Sequence, residues 1–281
     1  MPEGDTLYRT ARALDRALVG RAVTAFRSAY APLVAFDDNA PLAGRTVERA
    51  ASRGKWLFLY FSGDAILVTH MLMRGSWHIY RPGEPWQLPA REMRIAIETA
   101  EIDAIAFNVP VAEMHTASSL ARRAGIPPAA ADVLGPEFDP ISAAVRIVAH
   151  RDEEIGDVLL HQHVLAGVGN VFKSETCFVA GVSPFARVST LSAETIAHIV
   201  ATAQRLLRAN ILEDSCGQIV TYPSRMRRTT RRTQPGASLW VYGRTGEPCR
   251  HCGTPIRSAP QGPQVRTTYW CPQCQKTENR D

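Results

Sequence analysis

Two pairs of cysteines near the end of the chain place the strongest restriction on how this sequence can fold. Cys249 and Cys252 form one Cys-x-x-Cys pair, and Cys271 and Cys274 form another after eighteen intervening residues. Each pair on a tight turn directs two sulfurs to one point, so the two pairs can complete a tetrahedron around Zn²⁺. Two disulfides are the alternative, which requires an oxidising compartment. We expect one structural Zn²⁺, because four thiolates leave no coordination position open.

The rest of the composition describes an ordinary globular chain. It has 281 residues, of which 45% are hydrophobic and 21% charged, which excludes wholesale disorder and predicts about two domains. The longest apolar run, Trp56 to Phe61, has six residues, against the roughly 20 that a membrane helix needs. The N-terminal residues lack the basic start and apolar stretch of a secretory signal. We therefore expect a cytoplasmic protein with no membrane partner.

The basic residues favour a polyanionic partner. The net charge is +5, and the chain holds three lysines against twenty-nine arginines. Arginine suits phosphate because its planar fork donates two parallel hydrogen bonds, although codon bias in a GC-rich genome also explains the excess. Five arginines lie between Arg225 and Arg232, and we expect them to add non-specific affinity, unless they form only a solvated charged segment.

The hydrophobic pattern predicts an α+β multidomain chain. An amphipathic helix over 5–19 is followed by strands from about 22 to 110, with a hairpin at the turn 62–64, so we expect an antiparallel β-sandwich with a leading helix. Proline-rich segments near residue 126 mark a linker. Helices are predicted over 141–149, 153–161, 170–180 and 192–211. The predicted domains are 1–125, 126–237 and a zinc module at 238–281.

The start of the chain carries candidate chemistry. Removal of Met1 would leave Pro2 as a secondary amine, whose pKa near 8 makes it a better nucleophile at pH 7 than lysine. Attack on a sugar aldehyde carbon would give an iminium, and Glu3 could move protons beside it. Alone, both residues have ordinary explanations, since many proteins begin Met-Pro and acidic residues are common at helix starts.

Other candidates are individually weak. Lys55 could reach a phosphate, but a lysine at a strand start is usually solvated. Asn170 follows a glycine-rich turn and is read as a helix N-cap, although the same geometry can cradle phosphate. His161 and His163 have no third ligand at a sensible spacing and are interpreted as structural.

Taken together and in order, these motifs resemble the formamidopyrimidine-DNA glycosylase/endonuclease VIII family. The resemblance extends from residue 2 to about residue 276 and rests on Pro2-Glu3-Gly4, Arg53-Gly54-Lys55, Leu134-Gly135-Pro136, Leu159-Leu160-His161-Gln162, Gly167-Val168-Gly169-Asn170, Val241-Tyr242-Gly243-Arg244, Arg266-Thr267-Thr268-Tyr269-Trp270-Cys271 and the two cysteine pairs.

The resemblance implies a bifunctional base-excision enzyme that acts on damaged DNA as a monomer. It assigns catalysis to Pro2 and Glu3 and phosphate clamping to Lys55, Asn170 and Arg266, with Arg266 on a hairpin that zinc holds. It also makes the helical middle a helix–two-turn–helix domain. The loop of Leu72, Met73 and Arg74, after His70, is expected to fill the space left by a flipped nucleotide.

Three departures bear on the branch of the family. Thr6 stands where the family often has glutamate. The segment from Phe107 to Met114 replaces the Asp-Pro-Arg-Arg-Phe segment of the formamidopyrimidine branch and is closer to the endonuclease VIII branch. The loop 72–74 also differs from the Gln-Leu-Tyr that is common in the endonuclease VIII branch. We favour the endonuclease VIII branch and oxidised pyrimidines. The alternatives are an oxidised-purine glycosylase and a non-catalytic DNA-binding protein of the same fold.

Overall fold

The computed structural model describes residues 2–211, 221 and 238–276. The chain divides into two compact units, Met1–Ile126 (unit 1) and Pro127–Asp281 (unit 2). The predicted boundary between residues 237 and 238 stays a prediction. Cys216 and the arginines from Arg225 to Arg232 lie outside the described residues.

Unit 1 begins with a helix whose apolar side chains repeat every three or four residues. Helix α1 covers Gly4–Leu18, and its buried apolar positions are Leu7, Ala11, Leu14 and Leu18. This spacing places all four on one face, so the helix packs on the core through that stripe. Gly20 follows with φ +82°, a left-handed conformation that glycine adopts without strain. The predicted helix over 5–19 is confirmed.

Two antiparallel four-stranded sheets form the rest of unit 1. One sheet has the order β1-β6-β7-β5 and the other β2-β3-β4-β8. Leu57 and Leu59 of one sheet share a buried cluster with Ile95 and Ile97 of the other, which confirms the β-sandwich. The strands are β1 (Val23–Ser28), β2 (Val47–Arg53), β3 (Trp56–Phe61), β4 (Ala65–His70), β5 (Ser76–Tyr80), β6 (Met93–Thr99), β7 (Asp103–Phe107) and β8 (Val111–His115).

A helix interrupts the segment in which the sequence predicted only strands. Helix α2 covers Ala31–Asn39, with Pro32 in its first turn and Leu33 buried. Proline is favoured at a helix start because its missing N–H has no partner there in any case. A short helix α3, Ala117–Ala121, follows β8, and a capping box of Thr116 and Ser119 caps its N-terminus.

Unit 2 is helical in its first part. Its core is formed by residues such as Ile147, Phe172 and Leu207 from three helices. The helices are α4 (Pro140–Val148), α5 (Ile155–Val158), α6 (Asn170–Val179) and α7 (Ala193–Ala209). Helix α5 is much shorter than the predicted 153–161, because its flanks form turns. The other three lie close to their predicted bounds.

The cysteine-rich end of unit 2 packs against α6. Strands β9 (Arg257–Gln261) and β10 (Arg266–Trp270) form an antiparallel hairpin. Phe178 of α6 stacks on Trp240 with ring centroids 5.1 Å apart, and both join a small core with Val241 and Cys271. In the described part of the chain, none of the helices is long and apolar enough to cross a membrane.

Candidate active site

Helix α1 places the first two candidate residues at its positive end. Pro2 is half-buried, and the Glu3 side chain is fully buried. The Glu3 carbonyl accepts the first helical hydrogen bond from the Leu7 N–H at 3.1 Å. The N–H groups of the first turn have no acceptor within the helix ladder and make this end of the helix electropositive, which disfavours protonation of a nearby amine.

A second buried carboxyl group, Asp5, lies in the first turn of the same helix, and sequence analysis did not single it out. Asp5 is fully buried, and its Oδ2 lies 3.0 Å from a guanidinium nitrogen of Arg9. Burial raises the pKa of Asp5, and the charge of Arg9 partly opposes that shift. Thr6, beside it, places its hydroxyl 3.5 Å from Asp5 Oδ1. A carboxyl group therefore lies next to the position where the family often has glutamate.

Lys55 lies in the tight turn between β2 and β3, and not within a strand. Arg53 pairs with Trp56, so Gly54 and Lys55 form a two-residue turn in which Gly54 has φ +57°. Two-residue turns with a left-handed first position suit the twist of antiparallel strands. The Lys55 side chain is half-buried at the end of the sheet.

His70 ends β4 directly opposite Trp56. The two rings meet edge to face with centroids 4.8 Å apart. Burial, followed by the charges of Lys55 and Arg123, lowers the pKa of His70 to about 4. The ring is therefore neutral at pH 7. Because its Nδ1 accepts the Leu72 N–H at 3.1 Å, the remaining proton is assigned to Nε2.

The loop after His70 is strained and apolar at its tip. Leu72 has φ +45°, uncommon for a residue with a side chain, and is 48% exposed. Met73 is 63% exposed, and Arg74 is also exposed. The loop closes by a bond from the Gly75 N–H to the Met71 carbonyl, and a Cβ on Gly75 would lie 2.6 Å from that oxygen. Only glycine fits there.

The segment that begins at Phe107, which stands in place of the Asp-Pro-Arg-Arg-Phe segment, is held by contacts within unit 1. Phe107 and Val109 are fully buried, and Phe107 packs edge to face on His78 and Trp86. Asn108 has φ +51°, and its amide donates to Glu92 at 2.7 Å. These contacts hold the segment by packing within the sandwich.

In unit 2 the glycine-rich turn before α6 is held by a glutamine. Gln162 donates to the Val168 carbonyl at 2.9 Å and accepts the Gly167 N–H at 3.1 Å. Asn170 is the first residue of α6, so the predicted N-cap is wrong by one position: Gly169 occupies it. An asparagine inside the helix is free to use its side chain elsewhere.

Asn170 contacts the hairpin that carries Arg266. Its Nδ2 donates to the Thr267 carbonyl at 2.7 Å, whereas its buried Oδ1 has no hydrogen-bond partner among the described residues. Arg266 begins β10 with an exposed side chain, and its Nε donates to Gln264 at 3.2 Å. The structure thus brings two sequence-predicted phosphate-binding residues next to each other.

A buried polar network supports the hairpin from below. The Lys173 side chain is fully buried, and its Nζ donates to Thr268 Oγ1 at 2.5 Å. The Thr268 hydroxyl donates to Gln261 Oε1 at 2.7 Å, and Gln261 Nε2 donates to Glu154 Oε2 at 2.8 Å. The sequence shows Lys173 close to apolar residues of the predicted helix, but it does not show the lysine's partners, because they lie about ninety positions away.

Glu175 holds the entry to the cysteine module. The carboxylate is fully buried and accepts the N–H groups of Trp240, Val241 and Tyr242 at 2.8–2.9 Å, together with the Thr221 hydroxyl. A buried carboxylate is stable only when its oxygens are satisfied in this way. Sequence analysis did not single out Glu175.

The four cysteines converge as predicted. Their sulfurs lie within 4.8 Å of one another, with 3.9 Å between Cys249 and Cys274 and 3.4 Å between Cys252 and Cys271. These distances fit the edges of a tetrahedron with metal–sulfur bonds of about 2.3 Å. The cluster can hold a metal ion. Both strands of the adjacent hairpin are anchored near it through Cys271 and Ile256.

Comparison with known proteins places both units in one family. The model of the formamidopyrimidine-DNA glycosylase N-terminal domain matches residues 1–110. The model of the formamidopyrimidine-DNA glycosylase H2TH domain matches residues 130–221. The helical part of unit 2 is therefore the helix–two-turn–helix domain that the resemblance implied.

Relatives match over nearly the whole chain. A probable endonuclease 8 2 of Streptomyces coelicolor is 39% identical over 98% of this chain and 94% of its own length. The DNA-(apurinic or apyrimidinic site) lyase Nei2 of Mycolicibacterium smegmatis is 40% identical over 98% of this chain and 99% of its own length. The structure of the Lactococcus lactis formamidopyrimidine-DNA glycosylase bound to AP-site DNA has the same fold, with a TM-score of 0.78 and 22% sequence identity. The match covers 98% of this chain and 100% of that chain. The chain belongs to the formamidopyrimidine-DNA glycosylase/endonuclease VIII family, in its endonuclease VIII-like branch.

Proposed function

We propose that this protein is a bifunctional DNA glycosylase and abasic-site lyase that removes oxidised bases in base excision repair. The main support for this proposal is the position of Pro2 at the electropositive start of α1, directly before Glu3, whose carboxyl group is buried. The names of the relatives, endonuclease 8 and DNA-(apurinic or apyrimidinic site) lyase, support the same activity.

The chemistry follows from the amine. The Pro2 nitrogen forms a bond to C1′ of the damaged nucleotide while the bond from C1′ to the base breaks, and the base leaves with the electron pair. Ring opening then gives an iminium between Pro2 and the sugar. Its positive charge accepts electrons when the C2′ proton is removed and the 3′ phosphate leaves. Glu3 is placed to move the protons for ring opening.

We assign DNA phosphate binding to Lys55, Asn170 and Arg266. Lys55 offers a point charge on a fixed turn, Asn170 an amide at the start of α6, and Arg266 an exposed guanidinium at the hairpin end. His70 adds a neutral Nε2–H donor. The DNA-bound state of the solved Lactococcus lactis relative supports damaged DNA as the partner. We expect a cytoplasmic monomer that associates with the nucleoid.

The loop of Leu72, Met73 and Arg74 is assigned to the space left by the flipped nucleotide. Its exposed apolar tip can replace the lost stacking, and Arg74 can reach the orphaned base. Since Phe107 to Pro110 contains no arginine to read that base, we propose oxidised pyrimidines and abasic sites as substrates, without a strong requirement for cytosine opposite the lesion.

Zinc is our assignment for the cysteine cluster. Four thiolates in a closed tetrahedral arrangement suit Zn²⁺ and leave no open position, so the metal would be structural. Cys249, Cys252, Cys271 and Cys274 would hold it, and the ion would stiffen the hairpin that carries Arg266.

Borohydride trapping tests the proposal. Reduction should freeze a covalent adduct between the protein and DNA that contains an abasic site or thymine glycol. An N-terminal tag that is not cleaved should abolish the adduct, whereas Pro2→Gly should keep some of it through a primary amine. Glu3→Gln should impair base removal more than cleavage of an abasic site. An adduct that forms equally with a blocked N-terminus would reassign the nucleophile.

Two other outcomes would point to different functions. Tight binding of lesion-bearing DNA with no adduct and no strand cleavage would favour the non-catalytic DNA-binding protein. Rapid excision of 8-oxoguanine opposite cytosine, with thymine glycol untouched, would favour an oxidised-purine glycosylase.

A further inference from the structure

A second group of metal-ligating side chains lies in unit 2, away from the cysteines. His150 Nδ1 lies 2.6 Å from Glu153 Oε1, and His161 Nε2 lies 3.4 Å from Glu153 Oε2. One ligand atom from each residue can be chosen so that all three lie within 4.8 Å of one another. The centroids of the His150 and His161 rings are 4.8 Å apart. This arrangement corrects the interpretation of His161 as a histidine without a third ligand.

The backbone brings the three residues together from the two sides of α5. His150 lies two residues after α4, where its N–H donates to the Ile147 carbonyl at 3.0 Å. The Glu153 N–H in turn donates to the His150 carbonyl at 3.0 Å. His161 follows α5, with its N–H on the Val158 carbonyl at 3.1 Å. Three hydrogen-bonded turns therefore fix the positions from which the ligands project.

The donor set selects a class of ion. Two imidazoles and one carboxylate suit first-row divalent transition metals, whereas Mg²⁺ and Ca²⁺ prefer oxygen ligands alone. The side chains are between 32% and 42% exposed, so water can complete the coordination shell. The two separations between histidine nitrogen and carboxylate oxygen, 2.6 Å and 3.4 Å, are close to the roughly 3 Å expected between ligands of an ion with bonds of about 2.0–2.2 Å.

We propose that His150, Glu153 and His161 form a second metal site, distinct from the cysteine cluster, that takes an exchangeable divalent ion such as Ni²⁺ or Zn²⁺. Without an ion, the Glu153 carboxylate is hydrogen-bonded to His150, and its other oxygen lies 3.4 Å from His161 Nε2. With one, the same three side chains tie the end of α4 to the segment after α5. The ion therefore stabilises unit 2.

The position of the site relates it to the DNA-binding elements of the proposed function. Glu154, next to one ligand, accepts from Gln261 of the hairpin, and Gln162, next to another, holds the turn before Asn170. An ion that fixes residues 153 and 161 thus restrains the neighbours that support both elements.

Nickel binding to the zinc-loaded full chain tests the site without any readout of activity. After equilibrium dialysis against Ni²⁺, elemental analysis should find one nickel per chain in addition to the zinc of the cysteine cluster. The imidazole proton signals of His150 and His161 should be broadened by the paramagnetic ion, and the thermal transition of unit 2 should move upward.

The matched control is His163, an exposed histidine two residues from His161. His161→Gln and His150→Gln should each lose the added nickel and the thermal shift, while His163→Gln keeps both. Zinc retained by the cysteine cluster, together with a wild-type thermal transition in the absence of nickel, shows that each variant is folded. Nickel uptake that is absent in the wild type, unchanged in both ligand variants, or reduced equally by His161→Gln and His163→Gln would overturn the proposal. Because none of these readouts involves catalysis, the result is independent of the glycosylase assignment.

Discussion

Backbone strain and apolar exposure coincide at Leu72. A left-handed backbone at a residue with a side chain costs on the order of 1–3 kcal/mol, and exposing leucine to water adds to that cost. The neighbouring Met71 is buried and Gly75 closes the loop, so the scaffold holds the tip in this conformation. A tip that is held out at a cost is suited to binding another molecule.

Met73→Ala should slow lesion removal from duplex DNA by about tenfold, because burying a methionine side chain is worth about 1.5–3 kcal/mol. Excision from single-stranded DNA should change little, since a single strand leaves no stacked hole to fill. Single-turnover rates on the two substrates measure the difference. Ile79→Ala, an exposed apolar truncation on β5, is the control. Equal slowing on both substrates would contradict the assignment.

His70 should make unit 1 sensitive to acid. Its pKa is about 4 in the fold against 6.5 in an unfolded chain. Between these values the unfolded state binds a proton that the folded state does not, so the free energy of unfolding falls as pH falls from 6.5 towards 4. His70→Gln removes this term, and the decrease in stability from about pH 7.5 to about pH 5 should become smaller.

Urea unfolding followed by tryptophan fluorescence, to which Trp56 beside His70 contributes, measures this change. His163→Gln should leave the pH dependence of the same signal unaltered. A pH profile of His70→Gln that superimposes on the wild type would show that the ring is protonated normally.

Single residues differed in how far the sequence could define their roles. The four cysteines were recognisable because each pair is local, and two local pairs suffice for a tetrahedral site. The grouping of His161 with Glu153 and His150 was not predictable, because His150 lies eleven positions away and is brought near only by the fold. Glu175 gave no signal, since its partners are the Thr221 hydroxyl and three backbone amides, all more than forty residues away.

At the scale of elements, the β9–β10 hairpin depends on the side chains beneath it. Thr268→Val removes the hydroxyl that joins Lys173 to Gln261, so two hydrogen bonds of a buried network are lost, one of them from a charged group. The loss of a hydrogen bond to a charged group costs about 1–3 kcal/mol. We expect unit 2 to be destabilised by that amount and DNA affinity to fall. Thr267→Val changes an exposed side chain one position away and should stay within about 0.5 kcal/mol.

Thermal unfolding and DNA-binding titrations of the two threonine variants decide the point. Similar behaviour of Thr267→Val and Thr268→Val would mean that the network does not support the hairpin.

Cys271→Ser should release the zinc of the cysteine module and abolish DNA binding, because the hairpin loses its anchor. Unit 1 should keep its fold, since its core contains residues of the first unit alone. Elemental analysis, tryptophan fluorescence and a DNA-binding titration follow the three effects. Wild-type DNA affinity in a metal-free variant would contradict the role assigned to zinc.

Elements with a strong periodic pattern were predictable, and short ones were not. Helix α1 and the β3–β4 hairpin follow directly from their apolar spacing and turn residues. Helix α2 was missed because its apolar residues, Leu33, Val34 and Phe36, give little helical amphipathicity over nine positions. Its visible signal was Pro32, which favours a helix start.

At the scale of the whole molecule, an excess of basic charge is suited to a phosphate backbone. Arg266→Ala should weaken DNA binding and reduce the slope of log affinity against log salt by about one unit, since one phosphate contact is lost. Arg257→Ala is the control, because Arg257 is exposed at the opposite end of the same hairpin. Binding isotherms at several salt concentrations measure both slopes. An unchanged slope for Arg266→Ala would remove that residue from the DNA contacts.

The Glu175 carboxylate has a consequence for the connectivity of the chain. It holds Thr221 on one side and Trp240 to Tyr242 on the other, so both ends of the segment 222–237 are fastened to one point of α6. The chain is therefore closed into a ring at this point, because residues 221 and 240 are held by the same side chain. If the backbone were cut between them, Thr221 and Trp240 would each still have the Glu175 carboxylate as a partner, so we expect the two fragments to stay associated.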